Sequence, residues 1–396
     1  MPGTLGTVVA QTSLAITPFR IATTDAQLED LRARLAATRW PDTIAGTGWD
    51  YGADLAYIQE LCEYWRVRFD WRAQEAALNA LPQFTVPIGG LRIHFIHQRG
   101  NGPRPLPLLI THGWPGSIAE MVEIIPLLTD PAGHGGDAGD AFDVVVPSIP
   151  GFGFSERPMQ RGVSTMRVGD LWADLMRALG YERFGAQGGD FGAAVSTYLA
   201  LDRPESLIGL HLSNLDNAPY TGPGSRPLSD AETAYLAQFQ HWLDTDRGYG
   251  AIQSTRPQTL SYGLNDSPAG LAAWILEKWR AWGDTGGDIE GSFDRDFLLT
   301  TVTLYWATQT IGPSMHDYVD NRWFLEPLGP DDLVTVPTGI ALFANQYLDD
   351  GSPPREWAER LYNVVRWTPM STGAHFAAAE EPELMAADIA AFFADL

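Results

Sequence analysis

In the run Arg183-Phe184-Gly185-Ala186-Gln187-Gly188-Gly189-Asp190-Phe191-Gly192-Ala193-Ala194-Val195, an aspartate occupies the centre of a small-x-acid-x-small pattern, Gly188-x-Asp190-x-Gly192. The residues before it read as a strand and those after it as a helix. The spacing is that of a nucleophile elbow, a tight and strained turn that lifts its middle side chain into a site and leaves no room for large neighbours. A serine there would form acyl-enzymes from esters and amides. A carboxylate is a poor acyl-transfer nucleophile, but it displaces at saturated carbon and leaves an alkyl ester. The chemistry therefore points to epoxides or alkyl halides. The same residues also suit a Gly-rich turn whose aspartate caps the following helix, so the motif alone leaves both readings open.

The elements around this turn alternate as a parallel sheet requires. Strand patterns at 106–111, 142–147, 183–187 and 207–212 are interleaved with helical patterns at 118–128, 168–178 and 193–201. Such alternation builds βαβ units with both sheet faces covered. After Asn214 it stops, and an aromatic-rich helical stretch follows, clearest at 231–242, 270–282 and 297–308. It resumes with a strand at 337–343, a helix at 357–362, a strand at 364–370 and a last helix at 382–396. Upstream, Thr24-Asp25 offers an N-cap for a helix carrying Leu28, Leu31 and Leu35, Trp40-Pro41 breaks it, and helices follow at 53–65 and 71–81. Strands at 84–88 and 91–98 meet at Gly89-Gly90. The expected organisation is an N-terminal region with the first strands over 1–100, α/β core over 101–214 and 331–396, and a helical lid over 215–330.

Three further features fall where an elbow of this kind needs them. His112-Gly113-Trp114-Pro115-Gly116-Ser117 follows a strand and suits an oxyanion loop, with a candidate cis bond before Pro115. Backbone amides of Trp114 and Phe191 are the expected donors, worth about 3–4 kcal/mol each in a water-poor site. His375 lies after the last strand and before the last helix, where a base reaches the nucleophile. The acid that orients it belongs after the 337–343 strand, where Asp349 and Asp350 are both available and equally fit a surface Asp-Asp-Gly turn. His94 and His97 share a strand at i, i+3 spacing and point to opposite faces, so they make a poor metal pair.

Composition narrows the class. A 396-residue chain with 45% hydrophobic residues buries a large core. Its formal charge of −23 repels phosphate backbones and makes nucleic acid an improbable partner. The single cysteine, Cys62, excludes an internal disulfide and fits a buried thiol on a helix. No apolar run is long enough to span a membrane and the start lacks a basic leader, so a cytoplasmic protein is expected.

With elbow, loop and histidine assembled, nearly the whole chain resembles the microsomal-type epoxide hydrolases. The resemblance rests on Trp49-Asp50-Tyr51-Gly52, Tyr64-Trp65, Phe69-Asp70-Trp71-Arg72, Leu91–His97, the HGxP motif of His112–Pro115, Leu264–Ile275 and Gly373–Ala378 with Glu380-Glu381-Pro382-Glu383. It implies an α/β-hydrolase fold with an N-terminal meander and a helical cap, and no cofactor or metal. It implies Asp190 as nucleophile, His375 as base, and Tyr249 and Tyr318 as the phenols that protonate the epoxide oxygen. The family's Phe-Pro-x-acid pattern is not met, since three residues past Phe343 stands Gln346. Counting back from Trp357 reaches Asp349, which is favoured, with Asp350 next. An acid at the end of the preceding strand would fall at Asn214, and Asp216 is a distant candidate. The expected substrate is a small apolar epoxide, with Trp114, Phe152, Trp242 and Trp274 as pocket candidates. The chain is compatible with a homodimer without specifying one. Two rivals stay open: a haloalkane or haloacid dehalogenase using the same aspartyl ester, and a catalytically silent binding protein.

Overall fold

A computed structural model of the chain describes residues 15–344 and 352–396. Among the described residues nine strands form one sheet: β1 (Thr17–Phe19), β2 (Gln83–Ile88), β3 (Leu91–Gln98), β4 (Leu106–Thr111), β5 (Phe142–Pro147), β6 (Phe184–Gly188), β7 (Leu207–Leu212), β8 (Val334–Leu342) and β9 (Tyr362–Pro369). Their spatial order is β1-β2-β3-β5-β4-β6-β7-β8-β9. From β5 to β9 every pairing is parallel, whereas β1, β2 and β3 join as an antiparallel meander. Strand β5 reads Phe-Asp-Val-Val-Val-Pro and every residue of it is buried, as a sheet covered on both faces demands.

Two apolar layers do the covering. On one side pack Val168, Leu171, Trp172 and Leu175 of helix Thr165–Ala178 with Val195 and Leu199 of helix Phe191–Asp202. On the other pack Ile124, Ile125 and Leu128 of helix Ile124–Thr129 with Ile389, Phe392 and Phe393 of helix Pro382–Ala394. The N-terminal helices Asp25–Ala36, Leu55–Val67 and Trp71–Leu78 connect β1 to β2 of the meander. Thr24 caps the first through a full capping box with Gln27, worth about 1 kcal/mol. The leucines at 28, 31 and 35 are all buried.

Between β7 and β8 the chain forms a layer of helices whose longest members are Asp230–Thr245, Pro268–Trp282 and Arg295–Thr308. The N-terminal helices brace this layer: Trp65 Nε1 donates to Thr303 Oγ1 at 2.9 Å. Among the described residues no helix is long and apolar enough to cross a membrane.

Three expectations differ from the structure. The single helix over 118–128 is a 3-10 turn, Ile118–Met121, followed by Ile124–Thr129. Pro126 explains the break, because starting the second helix at Ile124 puts the missing N–H in the first turn, where no partner is needed. The helix over 357–362 is one turn, Arg355–Ala358, and Tyr362 already opens β9. β1 was not anticipated; its three residues include Pro18, which only a sheet edge tolerates.

Candidate active site

β6 ends at Gly188 and the helix of the elbow begins at Phe191, leaving Gly189-Asp190 to make the turn. Asp190 adopts φ 52°, ψ −129°, a conformation that costs a non-glycine residue about 1–3 kcal/mol. The neighbouring glycines make it possible. A Cβ on Gly188 would stand 2.1 Å from Gly192 O, and one on Gly192 would stand 1.9 Å from Thr111 O. Asn214, just past β7, accepts the Asp190 N–H at 2.8 Å and pins the turn.

Asp190 occupies the N-cap position but makes no capping hydrogen bond. Its Oδ1 accepts the Trp114 N–H at 2.8 Å, and its Oδ2 lies 3.4 Å from His375 Nε2. The helix-capping alternative therefore does not describe this side chain. The amide loop is fixed by His112, whose Nδ1 meets Gly113 O at 3.0 Å and whose Nε2 accepts the Ile149 N–H at 3.3 Å. Burial lowers the His112 pKa to about 4, consistent with a neutral bridging ring. The Trp114–Pro115 bond is cis. Gly113 allows the approach, since a Cβ there would be 2.4 Å from Asp190 Cβ. Among the described residues, no hydrogen bond joins the Phe191 amide to the ground-state carboxylate.

His375 follows β9 on a loop that turns at Gly373, φ 83°. Its backbone N–H donates to Trp282 O at 3.2 Å, and its ring centroid lies 5.0 Å from that of Trp282. Glu380 ties the loop to the helical layer by accepting the Phe376 N–H at 2.8 Å and the Asp284 N–H at 2.6 Å. Asp349 and Asp350, the expected acids, lie outside the described residues.

Tyr249 stands in helix Gly248–Gln253 and Tyr318 in helix His316–Phe324. Their rings approach edge to face, 6.1 Å apart at 84°. Tyr249 stacks on Trp114 at 5.6 Å and 7°, and Tyr318 packs on Phe191 at 4.8 Å. Burial, reinforced by the neighbouring phenol and by Asp190 and Asp216, pushes the Tyr318 pKa well above the ordinary phenol range and keeps it a donor.

These groups share a cavity of about 540 Å³ lined by Asp190, Phe191, Trp242, Tyr249, Tyr318 and His375. A slightly larger cleft of about 640 Å³, bordered by Gln27, Arg34 and Trp306, carries none of them. Of the expected pocket aromatics, Trp242 lines the cavity. Trp114 serves through its amide and its stacking face. Phe152 does not reach the cavity; it is fully buried against His112. Trp274 does not reach it either, because its Nε1 is drawn to Gln253 Oε1 at 3.0 Å.

Asp216 also lines the cavity, with Arg247. Its side chain is exposed, and part of its surface lines the cavity. Burial, then the charge of Asp190, push its pKa up to about 7, against the pull of Arg247. Asn214 and the buried Glu120 are also at the site, and sequence reasoning assigned neither a role. The signal for Asn214 was its place at the end of a strand beside the elbow.

Outside the site, His94 bonds Ser148 and Gln83 at 2.9 Å each, and burial lowers its pKa to about 3. His97 meets Tyr181 OH at 3.1 Å. Cys62 is buried and its thiol is pushed up to about 12 by burial, which leaves it inert. Among the described residues no cluster of metal-binding side chains occurs.

The chain matches the family model for the epoxide hydrolase N terminus over residues 16–121 and the alpha/beta hydrolase fold over 107–272. A Stigmatella aurantiaca protein bearing an epoxide hydrolase name is 45% identical over 96% of this chain and 85% of its own length. Epoxide hydrolase 1 of Sus scrofa is 38% identical over 96% and 88%. Among solved structures, Aspergillus niger epoxide hydrolase superposes with a TM-score of 0.82 at 31% identity, covering 97% of each chain. Juvenile hormone epoxide hydrolase from Bombyx mori gives 0.81 at 29% identity, covering 96% of this chain and 94% of that one.

Proposed function

This chain belongs to the epoxide hydrolases, and from that premise we propose that it opens apolar epoxides to vicinal diols through an alkyl ester on Asp190. The observation that carries the mechanism is the placement of the Asp190 carboxylate. One oxygen is held by the Trp114 amide and the other faces His375, in a cavity shared with two phenols.

In the proposed first step Asp190 Oδ2 attacks a ring carbon from the face opposite the epoxide oxygen. The carbon–oxygen bond of the ring breaks, and Tyr249 or Tyr318 gives its proton to the departing oxygen. A phenol suits this role because a developing alkoxide is far more basic than a phenolate. In the second step His375 takes a proton from water, and the resulting hydroxide adds to Asp190 Cγ. The Trp114 amide stabilises the oxyanion, with the Phe191 amide as the proposed second donor once the carbon becomes tetrahedral. Collapse breaks the Cγ–O bond to the alkyl group, whose oxygen takes the proton from His375. The proton left on the new carboxyl restores the phenol. Asp349, or Asp350, is the proposed acid behind His375, and the helices between β7 and β8 are the proposed cap. The substrate is a neutral apolar epoxide, and cytoplasmic residence, tested by cell fractionation, belongs to the same proposal.

His375→Gln tests this reading. It should still be alkylated by styrene oxide but fail to hydrolyse the ester, so intact-mass analysis should find one substrate adduct on an Asp190 peptide. No adduct from an epoxide that the unmodified enzyme turns over would sink the covalent scheme. Halide release from a haloalkane in place of diol formation would favour the dehalogenase, and ligand binding with neither product a silent scaffold.

A further inference from the structure

A second, much smaller chamber adjoins the nucleophile. It measures about 20 Å³ and shares Asp190, Ser213 and His375 with the large cavity; its other walls include Thr111, Glu120 and Gln187. These last three are buried, with 0%, 8% and 1% of their surface accessible. Thr111 Oγ1, Glu120 Oε1 and both side-chain polar atoms of Gln187 have no protein partner.

Each unsatisfied buried polar group costs about 1–3 kcal/mol, and more than nine in ten such groups in folded proteins are paired. Three residues converging on one chamber therefore call for a common ligand. A volume of about 20 Å³ admits one water, which needs two to four polar partners. Gln187 supplies a donor and an acceptor, and Thr111 supplies a hydroxyl. Burial, then the charge of Asp190, raise the Glu120 pKa well above the ordinary carboxyl range against the pull of the Ser117 N–H. A neutral Glu120 gives water a donor and sets no second negative charge beside the nucleophile. The position is also tight, since a Cβ on Gly116 would overlap Glu120 Oε1.

We propose that Thr111, Glu120 and Gln187 form a water-positioning chamber that holds the nucleophile of the second half-reaction beside His375 and Asp190 Cγ. The proposal rests on the alkyl-ester reading above. Because the chamber is distinct from the substrate cavity, this water is held while the alkyl group of the ester still fills the cavity. The three residues are positioning groups: His375 takes the proton, the water oxygen bonds to Cγ, and the tetrahedral carbon so formed then releases the alkyl oxygen.

Single-turnover rapid quench of the full chain with excess enzyme over styrene oxide, read by intact mass, separates ester formation from ester decay. Thr111→Val and Gln187→Met should form ester within about twofold of the unmodified rate and lose it at least about tenfold more slowly. In the steady state kcat and KM should then fall together. Glu120→Leu should behave the same way, whereas Glu120→Gln, which keeps a neutral hydrogen-bonding end, should restore decay. Thr111→Val and Glu120→Gln are near-isosteric, so the comparison survives if a bulkier change misfolds. Unmodified decay in all variants overturns the chamber, as does a parallel loss of formation and decay. If His375→Gln forms no ester at all, the covalent reading falls first and the chamber with it.

Discussion

Asp190 carries a strained backbone that its surroundings over-determine: Asn214 holds its N–H, and three close approaches are open only to glycine at 113, 188 and 192. In the same cavity, Tyr249 and Tyr318 are the groups proposed to give a proton to the ring oxygen. Changing both to Phe should lower kcat/KM for epoxides by about 10²–10⁴-fold, measured as diol formed. Each single change should cost less, because the other phenol remains. Near-unmodified rates in the double variant would remove the tyrosines from the mechanism. Asp190 and His375 were legible in the sequence because each is marked by its own local pattern, a glycine-spaced turn and a loop after the last strand. Glu120 was not, since a tertiary contact that no local spacing records brings it to the site, and Asn214 was signalled only by its place at a strand end beside the elbow. Phe152 and Trp274 show the converse, as aromatic type alone does not separate a core ring from a pocket ring.

At the level of elements, the helical layer is fastened to the sheet by Glu232. This carboxylate is fully buried at the start of helix Asp230–Thr245 and accepts from Arg360 at 2.6 and 2.8 Å and from Arg226 at 2.9 and 3.1 Å. The Arg360 hydrogen bonds, helped by the Ser229 N–H and Arg226 and opposed by burial, lower its pKa from 4.5 to about 2. Glu232→Gln leaves two arginines facing a neutral group and should cost about 1–3 kcal/mol at neutral pH, less than a fully buried pair because Arg226 is half-exposed. The folded-state pKa is depressed, so the clamp contributes fully above the unfolded value and is lost as pH falls from about 4.5 toward 2. Thermal unfolding of both proteins between neutral pH and the acid limit should show their gap closing in that window; a gap that stays constant would show that the charge is not what holds the layer. Element types were well marked by hydrophobic period. The errors came where one residue overrode the pattern, as Pro126 did, or where an edge strand was too short to show a period, as in β1.

Across the whole molecule, Asp190, Asn214 and His375 lie beyond the carboxyl ends of β6, β7 and β9, and the Trp114 loop follows β4. A parallel sheet gathers such ends on one side, which is why residues scattered from 112 to 375 meet. The alternation of strands and helices made that gathering readable, while the antiparallel joining of β3 to β5 follows from pairing that no sequence period encodes. One packing arrangement has an optical consequence. Trp114 and Trp282 border the reacting groups: Trp114 stacks on Tyr249 and gives its amide to Asp190, and Trp282 lies 5.0 Å from His375. Esterifying Asp190 would replace a negative charge with a neutral group beside these indoles and change the electric field across them. Stopped-flow emission should therefore change at the rate of ester formation and recover at the rate of ester decay, and replacing Trp114 with Phe should shrink the amplitude. The enzyme would report each turnover in its own light, without a label.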